Sequence, residues 1–251
     1  MLKKFLFIDL DDTLFQSIEK CPPEANLQAV AYLKDGLACS YTTQGQRSFY
    51  ELMDREMTLI PTTARNRDAF KRVNLPFKSY SIINYGGVIL EPDGSVDQCW
   101  LATTHLDMQL ALPGLMDVLQ VIDNFSSRSG LNARARLIED CGIPFYVVVK
   151  DPQKKAEHLE ILEREAVLPW INTKGMEFFL HRNGNNLAIL PKALNKAHAV
   201  DYLRKRLEFE HGEIMTFGMG DSKSDARFMN SCDYAIVPRD SQLASVTLAT
   251  L

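Results

Sequence analysis

Two stretches of this chain concentrate carboxylates where a strand-like run ends. Lys4-Phe5-Leu6-Phe7-Ile8 leads into Asp9, Asp11 and Asp12, three carboxylates within four positions, followed by Thr13. Far downstream, Glu213-Ile214-Met215-Thr216-Phe217 leads through Gly218 and Gly220 into Asp221 and Asp225, two carboxylates four apart. At close range carboxylates repel and raise one another's pKa, so such groups call for a cation, shared protons or escape into solvent. A bland reading of the first stretch is a solvated acidic turn, because Asp and Thr are ordinary turn and helix-cap residues. Gly218 and Gly220 suggest a dinucleotide loop, but the third glycine is absent and carboxylates stand where a pyrophosphate would approach.

The elements that must position these groups follow from pattern. An apolar run of five residues is too short for a stable helix and reads as a strand buried on both faces, as in a parallel sheet covered by helices. In such open α/β sheets ligands bind at the carboxyl ends of the strands, where both acidic stretches fall. A second strand, Met57-Thr58-Leu59-Ile60, ends in Pro61, Thr62, Thr63, Ala64 and Arg65, the proline suiting the strand's end better than its middle. Helices are expected over 46–56, where Phe49, Leu52 and Met53 share a face, and over 66–73, before Pro76. Residues 81–90 read as a further core strand and turn, and Pro92-Asp93-Gly94 as a hairpin turn.

Two segments exceed a minimal α/β unit. Residues 17–42 hold Cys21-Pro22-Pro23 and then two short strands around Asp35-Gly36, a hairpin next to the first acidic stretch. From 96 to 185 the chain alternates helical segments (112–125, 153–165) with strand-like ones (144–149, 176–180), which suits an α+β layer of its own. Within it Arg134, Arg136, Lys174 and His181 are candidates for a polar ligand, although solvated surface is the ordinary fate of any one of them. The core is expected to resume with a strand over 186–191 and a helix to about Leu207, striped by Leu194, Ala197, Val200, Leu203 and Leu207. Lys196 falls in that helix's first turn, where dipole and ammonium favour an anion, with Lys192 the second choice. Residues 232–238 read as the last core strand, and Ser241 onward as a terminal helix.

The whole composition bounds the class. At 251 residues, 46% hydrophobic and 24% charged, the chain is an ordinary globular protein that can bury one large or two smaller cores. A net charge of −4 implies no general attraction to nucleic acid or anionic membrane. The apolar runs are short, and Asp9 arrives too soon for a signal peptide, so the expectation is a cytoplasmic protein. Five scattered cysteines without a C-x-x-C pair suggest neither a disulfide framework nor a zinc site.

Taken in chain order, Asp9-x-Asp11-x-Thr13, Thr63 with Arg65, Lys196 and Gly220-Asp221-x-x-x-Asp225 resemble the four motifs of the haloacid dehalogenase (HAD) superfamily. The resemblance is nearest to its sucrose-phosphatase-like and Cof-like phosphatases, partly through Gly220-Asp221-Ser222. It implies an α/β fold: a Rossmann-like core of parallel sheet with helices on both faces, from residues 1–95 and 186–251, with an inserted α+β C2-type cap, 96–185. It also implies hydrolysis of a small phosphomonoester, a sugar or sugar-acid phosphate, through an aspartyl-phosphate. Asp9 would be the nucleophile and Asp11 the general acid/base; Thr63 and Lys196 would hold the phosphate; Asp9, Asp221, Asp225 and the Asp11 carbonyl would bind Mg²⁺. Oxygen-only ligands suit that hard cation. Ala64 stands where the family commonly has Gly, which keeps Thr62 a competitor of Thr63, and Ser224 stands where many relatives have Asn. The expected partner is a small phosphorylated metabolite, with no nucleic acid, membrane or protein partner. A phosphotransferase or sugar phosphomutase would use the same motifs, and a catalytically silent binding module is the alternative from another class.

Overall fold

A computed structural model of the chain describes residues 2 to 247. The chain divides into two compact units, one formed by the residues up to Leu101 with those from Asn195 on, the other by Ala102–Leu194.

In chain order, β1 (Lys3–Ile8) is followed by the hairpin β2 (Gln28–Tyr32) and β3 (Ala38–Thr42), then α1 (Gln44–Glu56), β4 (Thr58–Pro61) and the short α2 (Arg67–Phe70). Thr43 caps α1 with a capping box completed by Gln46, and Asn66 caps α2. The expected strand over 81–90 is a tight hairpin, β5 (Ser81–Ile83) and β6 (Val88–Leu90), because Asn84 and Tyr85 adopt left-handed backbone between them. α3 (Gln98–Ser129) starts at Asp97, whose carboxylate accepts from Trp100 N–H. It is longer than the expected 112–125 and runs through Pro113, where the pattern alone argues for a start.

The second unit continues with β7 (Arg134–Asp140), β8 (Ile143–Lys150), α4 (Ala156–Leu162), α5 (Leu168–Thr173), β9 (Phe178–Asn183) and β10 (Asn186–Pro191). Its sheet has the order β7-β8-β10-β9 and is antiparallel throughout. One correction follows: β10, expected to begin the return to the first unit, pairs with β8 and β9 and belongs to this sheet. Gly184, with left-handed backbone, lies in the turn that joins β9 to β10. Ala135, Leu137, Val147, Val149, Leu187 and Ile189 pack with α4 and α5 through Leu159, Leu162 and Trp170. Strand alternation therefore puts Arg134 and Arg136 on the sheet face away from those helices.

The chain re-enters the first unit at Asn195, which caps α6 (Lys196–His211), followed by β11 (Ile214–Met219), α7 (Asp225–Met229), β12 (Tyr234–Ile236) and α8 (Gln242–Thr247). The expected terminal helix beyond residue 247 lies outside the described residues. The sheet order is β12-β11-β1-β4, all parallel. Phe5 and Phe7 pack on one side with Val200, Leu203 and Leu207 of α6, and Leu6 and Ile8 on the other with Phe49, Tyr50 and Met53 of α1. β1 is thus covered on both faces, as its continuous apolar run requires. Among the described residues no helix is long and apolar enough to cross a membrane.

Candidate active site

Parallel register carries the motif residues to one edge. Ile8 pairs with Met219 on one side and Pro61 on the other, so Asp9, Thr62 and Gly220 each follow the last pairs of adjacent strands. The ladder extends one step further, Asp9 N–H donating to Met219 O at 2.8 Å and Thr62 N–H to Ile8 O at 2.8 Å. After Asp9 the chain turns tightly around Leu10 O, which accepts from the N–H groups of Thr13, Leu14 and Phe15, and Asp12 takes a left-handed conformation to do so.

Asp9, Asp221 and Asp225 each offer a carboxylate oxygen, and these oxygens lie within 4.8 Å of one another. Asp9 and Asp225 are buried, as is Lys196. The Lys196 ammonium donates to Asp9 Oδ1 at 2.6 Å and to Asp225 Oδ1 at 2.8 Å. Thr13 Oγ1 donates to Asp221 Oδ1 at 3.1 Å, with Asp9 Oδ2 at 3.4 Å. Gly220 allows this convergence, because a Cβ there would overlap the Asp225 side chain. Ser222 donates to Asp225 Oδ2 through both N–H and hydroxyl, and its hydroxyl is 2.7 Å from that of Ser224. Ser224 thereby supports Asp225 through Ser222.

The electrostatics follow from crowding. Burial pushes the Asp9 carboxyl well above its ordinary range; Lys196 opposes this, and Asp225 and Asp221 add to it. Asp221 is pushed up from 3.8 to about 6, first by burial and then by Asp225 and Asp12. For Lys196 burial works downward, but Asp225 and Asp9 outweigh it and hold the ammonium above its ordinary range. A hard divalent cation fits this donor set. The ligands are all oxygen, and the carboxylates are more numerous than the ammonium can neutralise.

The other expected residues are placed as follows. The Thr62 hydroxyl turns back to Ile60 O at 3.2 Å, whereas Thr63 Oγ1 accepts from Arg65 N–H at 3.2 Å, which leaves its own hydrogen for a ligand. Lys192 is exposed, and its N–H donates to Glu177 O in the second unit, so Lys196 alone of the pair meets the acids. The Asp11 carboxylate is not one of the three clustered acids; it pairs with Arg65. The sequence reading did not find this pairing, nor the bridging by Thr13, nor the hold of Ser222 on Asp225. Thr13 and Ser222 lie inside the quoted motifs, so their hydroxyl chemistry was the available signal. Arg134, Arg136 and Lys174 are exposed side chains of the second unit; His181 lies on β9.

The family described as sucrose-6F-phosphate phosphohydrolase matches residues 148–249. None of the curated proteins matches. Among solved structures, the C-terminal domain of C. albicans trehalose-6-phosphate phosphatase superposes with a TM-score of 0.60 at 12% identity, covering 92% of this chain and 74% of that one. The sucrose-phosphatase of Synechocystis sp., in complex with sucrose and phosphate, gives 0.54 at 18% identity, covering 99% and 97%. A Thermoplasma acidophilum protein gives 0.52 at 13%, covering 99% and 98%. The chain shares the fold of these trehalose-6-phosphate and sucrose phosphatases, the fold that its resemblance to the haloacid dehalogenase superfamily implies, and over residues 148–249 it is similar to the sucrose-6F-phosphate phosphohydrolase family.

Proposed function

We propose that this chain is a Mg²⁺-dependent phosphatase of a phosphorylated sugar or sugar acid. The observation that carries the reading is the convergence of Asp9, Asp221, Asp225 and Lys196 in one focus at the carboxyl ends of parallel strands. Asp9, Asp221, Asp225 and the Asp11 carbonyl would hold the cation, which would screen the repulsion between a carboxylate nucleophile and a phosphate dianion.

The steps belong to the chain's own groups. An Asp9 oxygen attacks phosphorus, the bond to the alcohol oxygen breaks, and the Asp11 carboxyl gives that oxygen its proton. Water then attacks the aspartyl-phosphate, its proton passes to the Asp11 carboxylate, and inorganic phosphate leaves with Asp9 regenerated. Lys196 and the Thr63 hydroxyl donate to the non-bridging oxygens, whose charge must be held in a loose transition state. Recognition of the alcohol is assigned to the second unit, Ala102–Leu194.

A panel of sugar, sugar-acid and polyol phosphates, assayed for phosphate release with Mg²⁺ and with EDTA, tests the reading. The expected result is Mg²⁺-dependent release from at least one ester, abolished in Asp9→Asn while circular dichroism shows the fold retained. An amide is nearly isosteric with the carboxylate but cannot attack phosphorus. Turnover by Asp9→Asn near the wild-type rate contradicts the nucleophile.

A further inference from the structure

Arg65 grips the carboxylate of Asp11 with a two-pronged fork, Nε to Oδ2 at 2.8 Å and Nη2 to Oδ1 at 2.7 Å. Two parallel charge-assisted bonds fix the plane of a carboxylate as well as its position, which a lysine's single point charge cannot do. The guanidinium is itself held. Its carbon lies 5.2 Å from the centre of the fully buried Phe15 ring, and Nη1 reaches Ala69 O at 3.5 Å. Its backbone is pinned at both ends: the N–H donates to Thr63 Oγ1 at 3.2 Å and the C=O accepts from Asn84 N–H at 2.8 Å. One residue thus ties together the loops that follow β1, β4 and β5. The exposures differ in a telling way, 15% for the Arg65 side chain against 39% for that of Asp11. The grip comes from the protein side while Asp11 stays accessible to a reactant. Each carboxylate oxygen has two lone pairs, so the fork leaves one on each for a proton.

We propose that Arg65 is a positioning residue that aims the Asp11 carboxyl for proton exchange with the leaving alcohol and the attacking water. The assignment rests on the phosphatase reading above. It separates two roles that one motif would otherwise merge, because Thr63 is aimed at the phosphate and Arg65 at the proton carrier. The energetic logic is orientation: a general acid contributes roughly 10²–10⁴-fold, and a small displacement of a catalytic group forfeits about 10²-fold of what good placement supplies.

The test compares two esters whose need for a proton differs. An alkyl phosphate expels a strongly basic alkoxide and needs the acid; p-nitrophenyl phosphate expels a stable phenolate and hardly needs it. The parameter is kcat/KM, which covers phosphoryl transfer to Asp9 and excludes the later hydrolysis. Arg65→Met is expected to lower it ~10²-fold for the alkyl ester and less than ~5-fold for the nitrophenyl ester, with inhibition by inorganic phosphate unchanged. Arg65→Lys should recover little for the alkyl ester, since a point charge does not restore the fork. In an Asp11→Asn background Arg65→Met should have no further effect on the ratio of the two esters, because the group it aims is gone. Equal losses on both esters, or a parallel weakening of phosphate inhibition, overturn the positioning role and leave the phosphatase reading standing. A wild-type protein that releases phosphate with Mg²⁺ from none of these esters, the sugar-phosphate panel included, overturns both. Thermal melts of each variant keep a folding defect from passing as either result.

Discussion

Asp221→Asn should make the metal-free protein more stable and the metal-loaded protein less active. In the folded chain the Asp221 carboxyl titrates at about 6 against an ordinary 3.8, pushed up by burial, then by Asp225 and Asp12. Between those values the folded state holds a proton that the unfolded chain has released, so stability falls as pH rises through the window. Below 3.8 the penalty is absent, and above 6 it is complete. At 1.36 kcal/mol per pH unit the gap is worth ~3 kcal/mol, and solvent at this half-buried group trims it to ~1–3 kcal/mol. Asparagine removes the charge but keeps an oxygen that can accept from Thr13 Oγ1, now 3.1 Å from Asp221 Oδ1. In EDTA at pH 7.5 the variant should melt ~2–10 °C above wild type, the advantage shrinking toward zero near pH 4. Saturating Mg²⁺ should reverse the order, since ligand at a hundred times its dissociation constant adds about 2.7 kcal/mol to the protein that keeps all its ligands. Melts followed by circular dichroism at pH 4, 6 and 7.5, with EDTA and with Mg²⁺, read all of this. A variant less stable than wild type in EDTA at pH 7.5 would refute the electrostatic account, and so would an advantage as large at pH 4 as at pH 7.5.

The other expectations concern the lysine and the second unit. Lys196→Met leaves the buried Asp9 and Asp225 without their ammonium, so in EDTA at pH 7.5 it should destabilise by about 3–5 kcal/mol in urea titrations. A loss under 1 kcal/mol would show that the ion pair is not what holds the acids. Arg134→Ala and Arg136→Ala, exposed on the sheet face away from the second unit's helices, should re-rank kcat/KM across the sugar-phosphate panel while inhibition by phosphate holds. Lys174→Ala, at the end of α5 on the helical side, should leave the ranking as it is. A ranking that moves with Lys174 and not with the arginines would locate recognition on the helices instead.

What could be read from the sequence was local, and what could not be read depends on distant pairing. The five-residue run before Asp9 declares a doubly covered strand because both faces of each residue pair must be apolar, and the structure packs Phe5 and Phe7 against α6 and Leu6 and Ile8 against α1. The acids and Lys196 could be nominated because carboxylates at strand ends and a lysine in a helix's first turn are local oddities. Arg65 and Asp11 stand 54 positions apart, and nothing in either neighbourhood announces the fork. The run Leu187–Leu190 is apolar whichever sheet receives it, so its period reveals a strand and not its neighbours. The informative signal was the Gly184-Asn185 step before it, a two-residue loop that favours a hairpin with the preceding strand. α3 was cut short for a similar reason: Pro113 disfavours a helix interior locally, and tertiary packing overrides that preference.

The site departs from the rule that governs the rest of the core, and the departure has a direction. Leu6, Phe7 and Ile8 are buried because burial favours them, whereas Asp9, the next residue, is buried against its own charge. With every group ionised, Asp9, Asp221 and Asp225 against Lys196 leave two negative charges, which is the deficit one divalent cation fills. The fold supports this strain from its neighbours: Gly220 yields the space, Thr13 and Ser222 supply hydroxyl donors, and flanking strands fix the backbone of Asp9. Relieving the charge at Asp221 should therefore stabilise the fold, and removing the charge at Lys196 should destabilise it. The opposite signs of these two single substitutions follow from one electrostatic cause, which a merely packed acidic turn would not produce.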